Sequence, residues 1–174
     1  MLTTLNYFDL LALPESVELE RAVLEHAYQA LQSRWHPDRF AGLDAAARTC
    51  AVQQTSLLND AYRSLREPVL RAAHLLTLRG LDPERLEQHE LEPLFLLEQM
   101  TSRENLEECR AGRDAAALAR LGAVVQARFK AAWAGFAAAF ARNALLEAKR
   151  EFHKLQFLNK LQHEISAAEA LLDG

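Results

Sequence analysis

The residues of this chain best suited to chemistry are an imidazole and a carboxylate on either side of a proline, in the triplet His36-Pro37-Asp38. Such a pair can transfer protons, contribute to a metal site or bind a partner protein. Two ligands without companions make a poor metal site, and no nucleophile or oxyanion-hole motif lies nearby. Two interpretations remain: an element that binds a partner protein, and an ordinary solvated loop in which Asp38 caps a turn.

The proline restricts the backbone conformation around the triplet. Pro37 has a fixed φ and no N–H, and it disfavours helical geometry at His36, so a helix running toward Trp35 should stop there. The loop that follows should be stiff, and a stiff loop presents its side chains at low entropic cost. A His-Pro-Asp triplet between two helices is typical of J-domains, which activate DnaK-class ATPase chaperones.

The elements around this loop are all predicted to be helices, because helix-forming residues dominate and no alternating strand pattern occurs. Asn6 and Ser16 are expected to cap the first two helices, and Asp44 the third. The predicted helices of the first half are Tyr7–Leu11, Glu18–Trp35, a helix from Asp44 to just before Pro68, and Val69–Arg79 ended by Gly80. The two longer ones should form a hairpin around the loop, with the short first helix packed beside them.

Three more amphipathic helices with short turns predict an antiparallel three-helix bundle in the second half. They are Glu90–Ala111, a helix from its cap Asp114 to Arg142, and Leu145–Leu172. The fold class is therefore all-α, an N-terminal helical hairpin with short helices followed by a C-terminal bundle. The predicted domains are residues 1–76, a linker or loop at 77–89, and the bundle at 90–174.

The composition of this 174-residue chain argues against several classes of binding partner. Half of its residues are hydrophobic and the formal net charge is −4, with no run of basic residues, so nucleic-acid and anionic-membrane binding are not expected. No apolar stretch approaches the length of a membrane span and the first residues lack a basic leader, so we expect a cytoplasmic protein. Cys50 and Cys109 form no motif, and we expect two reduced, partly buried thiols and no cofactor.

The helix Glu90–Ala111 has more apolar residues than one face can bury. At 100° per residue its predicted core face comprises Leu91, Leu94, Phe95, Leu106 and Cys109. Leu96, Leu97 and Met100 project to the opposite side, followed there by Glu104 and Glu108. An apolar patch rimmed by carboxylates indicates a docking site for a basic, partly apolar protein surface. The alternative is a helix buried on both sides, and Glu98, close to the predicted core face, leaves the register open.

The whole chain resembles the HscB family, J-type co-chaperones of bacterial iron–sulfur cluster assembly. In the first half the resemblance rests on the sequences NYFDLLALP from Asn6, HPDRF from His36, AVQQ from Ala51, LNDAYRSL from Leu58 and RAAHLL from Arg71. In the second half it rests on FLLEQM from Phe95 and KLQFLNKL from Lys154. The order and spacing of these segments make the resemblance specific over nearly the whole length.

The resemblance implies an N-terminal J-domain, two protein partners and no catalysis by the chain itself. The J-domain would stimulate ATP hydrolysis by HscA, a DnaK-like chaperone, through Arg34, His36, Pro37, Asp38 and Arg39. The bundle would bind IscU, the scaffold on which clusters are built, and deliver it to HscA. The implied scaffold-binding residues are Leu96, Leu97, Met100, Glu104, Glu108 and Phe157. Phe157 could equally be a core aromatic residue, and Thr101 replaces a carboxylate usual in the family.

Two other functions fit the same residues less well. A general J-domain protein would deliver a different client to DnaK, and it would not need the outer face of the helix Glu90–Ala111. A metal-dependent enzyme would use His36, Asp38, His89 and the two cysteines, without any recognisable ligand spacing.

Overall fold

The computed structural model describes residues 5–40, 42, 44–85 and 93–172, and every regular element in these ranges is a helix. The chain divides into two compact units, Met1–Leu81 and Asp82–Gly174. The first unit contains α1 (Tyr7–Leu10), α2 (Arg21–Trp35), a 3₁₀ turn (Pro37–Phe40), α3 (Ala45–Arg66) and α4 (Pro68–Leu78). The second contains α5 (Pro93–Gly112), α6 (Ala115–Ala141) and α7 (Leu145–Leu172).

Three helices begin at the side-chain caps that the sequence predicts. Asn6 Oδ1 accepts a hydrogen bond from Phe8 N at 2.9 Å before α1. Asp44 Oδ1 accepts from Ala47 N at 2.7 Å before α3, and Asp114 Oδ1 accepts from Ala117 N at 2.8 Å before α6. Each bond satisfies one of the amide groups that a helix start leaves without an intrahelical partner.

The predicted start of α2 is wrong by three residues. The helix begins at Arg21 instead of Glu18, and its N-cap is Glu20, which makes no side-chain cap bond, instead of Ser16. The buried Arg71 of α4 explains part of this difference, because its Nε donates to the carbonyl of Val17 at 2.9 Å. That tertiary bond engages the backbone that would otherwise form the first turn.

The core of the first unit lies between α1, the α2–α3 hairpin and α4. Its buried apolar residues are Phe8, Leu11, Leu24, Ala51, Leu58, Ala61, Leu65, Ala72, Leu75 and Leu76. Tyr28 and Tyr62 stack across the hairpin with ring centroids 4.3 Å apart. His74 ties α4 to α1, because its Nε2 accepts a hydrogen bond from Tyr7 N at 3.1 Å and its ring stacks on Tyr7. Burial lowers the pKa of His74 below its ordinary value.

The second unit is organised around the packing of α6 against α7. Its fully buried large side chains are Leu106, Leu118, Val125, Phe136, Phe152, Leu155 and Leu161. Gly135 of α6 leaves room for the side chain of Glu151 on α7. A Cβ atom at residue 135 would lie 3.1 Å from the carboxyl group of Glu151. At Gly122 a Cβ would meet Ile165 Cγ2 at 3.6 Å, which is ordinary contact.

Two expectations about burial are wrong. Cys50 is exposed on α3, whereas Cys109 is partly buried as expected. Leu94, assigned to the core face of α5, is 66% exposed, because it lies about a quarter-turn from the Phe95 direction that contacts the bundle. Leu91, assigned to the same face, lies outside the described residues.

Candidate functional site: a loop surface and a helix surface

The first candidate site is the loop surface, defined as Arg34, His36, Pro37, Asp38 and Arg39. The helix α2 ends at Trp35, and His36 has φ −58° and ψ 129°, the extended geometry that a following proline favours. The 3₁₀ turn then starts at Pro37, and the carbonyl of His36 accepts a hydrogen bond from Arg39 N at 3.0 Å. The chain direction therefore changes within a few residues, at the triplet.

The imidazole and the carboxylate of this turn lie next to each other and face solvent. Asp38 N donates to His36 Nδ1 at 3.3 Å, and Asp38 Oδ2 lies 3.5 Å from the same nitrogen. The side chains of His36 and Asp38 are 52% and 89% exposed. A neutral imidazole that accepts at Nδ1 carries its proton on Nε2, which leaves that group as a donor for a partner.

Three contacts hold the turn from behind. The ring of Phe40 stacks on Trp35 with centroids 5.9 Å apart and planes 6° apart. Thr55 Oγ1 of α3 donates to the carbonyl of Trp35 at 3.1 Å. Arg39 Nη1 donates to the carbonyl of Ser33 at 3.3 Å. The loop is thus attached to both helices of the hairpin, which limits the conformational freedom it would lose on binding.

Two cations flank the exposed pair. Arg34 is exposed and its guanidinium carbon lies 5.8 Å from the centroid of the Trp35 ring. Arg39 is exposed on the other side of the turn. Farther up α2, Arg21 pairs with Glu25 at 2.9 Å, which reduces its contribution to a positive surface. The cationic character of this region is therefore concentrated at the loop.

The second candidate site is the α5 surface, defined as Leu96, Leu97, Met100, Glu104, Glu108 and Phe157. Three of its apolar side chains are widely exposed, since Leu96 is 45%, Leu97 59% and Met100 61% accessible. Glu104 and Glu108 are exposed one and two turns further along. The opposite side of α5 is buried, at Phe95, Ser102 and Leu106. Within the second unit, the α5 surface is therefore an apolar patch with a carboxylate rim.

Phe157 reaches this region from α7. Its ring is half-buried and meets the ring of Phe95 edge-on, with centroids 5.9 Å apart. The guanidinium carbon of Arg103 lies 5.8 Å from the centroid of Phe157. Arg103 and Leu96 are seven residues apart and so lie on the same side of α5. Phe157 thus packs at the edge of the bundle, between Phe95 of the core and the exposed Arg103.

An ion pair explains how the carboxylate of Glu98 can lie close to the core face of α5. Glu98 is half-buried on the side of α5 that faces α6, and its Oε2 lies 3.8 Å from Nη1 of Arg128. A carboxylate close to the core face is therefore compatible with the observed register. Thr101 is exposed, so the carboxylate rim consists of Glu104 and Glu108 without a contribution from residue 101.

Sequence reasoning missed three features near the α5 surface. Leu94 extends the exposed apolar area by one turn toward the start of the helix. Arg103 covers part of the Phe157 ring, and Arg128 closes an ion pair across α5 and α6. Helical arithmetic on all of α5 could have identified Arg103, because it falls on the side of Leu96. No sequence signal indicates which residue of α6 meets Glu98.

The described part of the chain contains no group of three or more His, Cys, Asp or Glu residues arranged to hold a metal ion. His89, one of the ligands considered for a metal-dependent enzyme, lies outside the described residues. Among the helices that the structure describes, none combines the length and the apolar character needed to cross a membrane.

Comparison with known proteins defines the class first. The solved HscB chaperone of Vibrio cholerae has 38% sequence identity with this chain and a TM-score of 0.86, covering 97% of this chain and 99% of its own. The crystal structure of human co-chaperone HscB has 30% identity and a TM-score of 0.87, with 95% and 82% covered. The chain is thus an all-α protein with an N-terminal J-domain and a C-terminal helical bundle.

The family follows from the sequence comparisons. The co-chaperone protein HscB homologue of Neisseria gonorrhoeae is 38% identical over 94% of this chain and 98% of its own length. Residues 91–166 match the family model described as the HSCB C-terminal oligomerisation domain. The chain belongs to the HscB family of co-chaperones, as the sequence resemblance predicted.

Proposed function

We propose that this co-chaperone stimulates ATP hydrolysis by an HscA-type chaperone and delivers an IscU-type iron–sulfur scaffold to it in the cytoplasm. The observation that carries the proposal is the pairing of two exposed surfaces of different chemistry on separate units of one chain. The loop surface has an imidazole, a carboxylate and two guanidinium groups. The α5 surface has three exposed apolar side chains and a carboxylate rim.

The loop surface would act by differential binding. A partner conformation that hydrolyses ATP is favoured to the extent that it binds the loop more tightly than the other conformation does. The exposed groups of His36 and Asp38 offer a donor and an acceptor for this purpose, and Arg34 and Arg39 attract an acidic partner surface. The attachment of the turn to Trp35, Phe40 and Thr55 limits the ordering cost.

The α5 surface would bind the scaffold mainly through buried apolar area. Leu96, Leu97 and Met100 are exposed without a covering element in the described part of the second unit. Burial of such side chains contributes about 25 cal/mol per Å² of apolar area. Glu104 and Glu108 would orient a basic partner and speed its association.

Joining the two surfaces in one chain raises the effective concentration of one partner near the other without new contacts. The direct experiment measures ATP hydrolysis by purified HscA-type chaperone with the co-chaperone alone, with the scaffold alone and with both. We expect stimulation by each and a larger than additive effect of both. The proposal fails if the co-chaperone does not stimulate the ATPase, or if calorimetry detects no binding of the scaffold.

A general J-domain protein serving DnaK is the second candidate, and the loop surface alone would support it. The discriminating observation is the exposed α5 patch, which that function does not require. Parallel ATPase assays with DnaK and with the HscA-type chaperone separate the two. Stimulation of DnaK alone, together with no scaffold binding, would favour the general J-domain protein.

A further inference from the structure

A groove runs between α5 and α6 on the flank of the α5 surface. It consists of two cavities of about 200 and about 300 Å³, and both are lined by Asn105, Leu121 and Val124. The first cavity also borders Leu97, and the second borders Glu108. Because Leu97 and Glu108 belong to the α5 surface, the groove continues that surface toward α6.

The floor of the groove carries a large exposed apolar side chain, which the rest of the described α6 lacks. Val124 is 49% exposed and is the exposed large hydrophobic residue of the described α6. Its exposed neighbours on the solvent side of the helix are alanines such as Ala123 and Ala127. Leu121 is half-buried one turn before it. Val124 therefore extends the exposed apolar area of Leu97 and Met100 onto a second helix.

The two walls of the groove differ in charge. Glu98 and Glu108 lie on α5, whereas Arg120 and Arg128 lie on α6. Arg128 pairs with Glu98 across one end of the groove. At the other end Glu108 and Arg120 border the same cavity. A segment lying there meets a carboxylate of α5 on one side and a guanidinium group of α6 on the other. It must therefore present a positive group toward α5 and a negative group toward α6.

We propose that the scaffold-binding surface continues from α5 across this groove onto α6, with Leu121 and Val124 as its apolar floor and Arg120 as a contact for an acidic group of the scaffold. This inference rests on the proposed function and adds specificity-determining residues to it. The occupant is the scaffold itself, presenting apolar side chains with basic groups toward α5 and an acidic group toward Arg120. Continuity with the α5 surface favours this occupant, and the opposite charges of the walls set the order of the charges that it must present. The cavities lie at or below the roughly 300–1,000 Å³ typical of small-molecule sites, which suits inserted side chains.

The decisive experiment is calorimetric binding of an IscU-type scaffold to the full chain carrying Val124→Asp. A carboxylate on the apolar floor must be desolvated on binding, so we expect affinity to fall at least tenfold. The matched control is Ala127→Asp, which places the same carboxylate at an exposed position of the same helix outside the groove. Its cost in helix propensity is larger than that of Val124→Asp, because alanine is the better helix former, so a loss of binding confined to Val124→Asp does not come from a weakened helix. It should leave affinity within twofold of the original. Circular dichroism verifies that both variants keep their helices.

A second variant tests the charge order. Arg120→Glu should weaken scaffold binding by a few fold at low salt and less at high salt, since exposed charges are screened.

If Leu97→Ala weakens binding while Val124→Asp behaves like Ala127→Asp, the groove is not part of the interface and the inference is overturned. If the unaltered chain does not bind the scaffold, the proposed function fails first. If Val124→Asp instead abolishes self-association seen by sedimentation, the groove serves a second copy and the inference is also overturned.

Discussion

The loop surface and the α5 surface are exposed to solvent for different structural reasons. The loop surface is polar, covers a few residues, and is held by short-range contacts to the two helices that flank it. The α5 surface is apolar, extends over several turns, and needs no special backbone, because a regular helix presents it. A polar site depends on the geometry of individual groups, whereas an apolar site depends on area, so mutations should affect the two differently.

The largest expected effect is on the loop surface. His36→Gln should reduce stimulation of the HscA-type ATPase to the level of the chaperone alone, because the amide cannot reproduce the imidazole's shape and donor position. Scaffold affinity should not change. The measurement is steady-state phosphate release with varied co-chaperone. His163→Gln, an exposed histidine on α7, is the control, and full stimulation by His36→Gln would disprove the role assigned to the loop.

The next effect is on the α5 surface. Changing Leu96, Leu97 and Met100 together to Ala should weaken scaffold binding by about a hundredfold, which corresponds to about 3 kcal/mol of lost apolar burial. Calorimetry measures the affinity, and ATPase stimulation without scaffold should persist. The control changes the exposed Leu146 and Leu171 of α7 to Ala. Equal losses in both variants would show that the patch on α5 has no special role.

A pair of cap variants tests whether the loop depends on local geometry more than the α5 surface does. Asp44→Ala and Asp114→Ala each remove a cap bond and should each lower the free energy of unfolding by about 1 kcal/mol. Asp44 follows the loop directly, so its loss should also raise the co-chaperone concentration needed for half-maximal ATPase stimulation. Asp114→Ala should leave that concentration unchanged. Identical ATPase curves for the two would remove the distinction.

The smallest effect concerns pH in the first unit. The pKa of His74 is lowered by burial, and its Nε2 accepts the Tyr7 amide in the neutral form. The unfolded chain, with a histidine pKa of about 6.5, therefore binds protons more readily than the native chain does. The contribution of His74 is present above about pH 6.5 and is lost as pH falls through the lower native value.

Denaturant unfolding followed by Trp35 fluorescence in a Trp133→Phe background reports this pH dependence from the first unit alone. His74→Gln keeps an acceptor but does not titrate, so its stability should vary less between pH 7.5 and 5.5. An equal pH dependence in both proteins would assign the effect to other groups.

Much of the fold was predictable because its signals are local. Asn6, Asp44 and Asp114 occupy cap positions whose bonds span a few residues, and Pro37 acts on its immediate neighbour. The wrong start of α2 has a tertiary cause, since Arg71, more than fifty residues away, binds the carbonyl of Val17. The exposure of Leu94 likewise depends on how α5 is rotated against its neighbours. The domain limits 1–76 and 90–174, and the roles of the individual site residues, stay predictions.

The sequence by itself determined the all-helical class, the position of the loop at His36-Pro37-Asp38 and the excess of apolar residues on α5, since caps, proline geometry and periodicity are properties of neighbouring residues. Tertiary structure alone decided the partial burial of Phe157 beneath Arg103, the ion pair of Glu98 with Arg128 and the groove containing Val124. These features join residues distant along the chain, and their distances follow from helix packing, which periodicity along one helix does not specify.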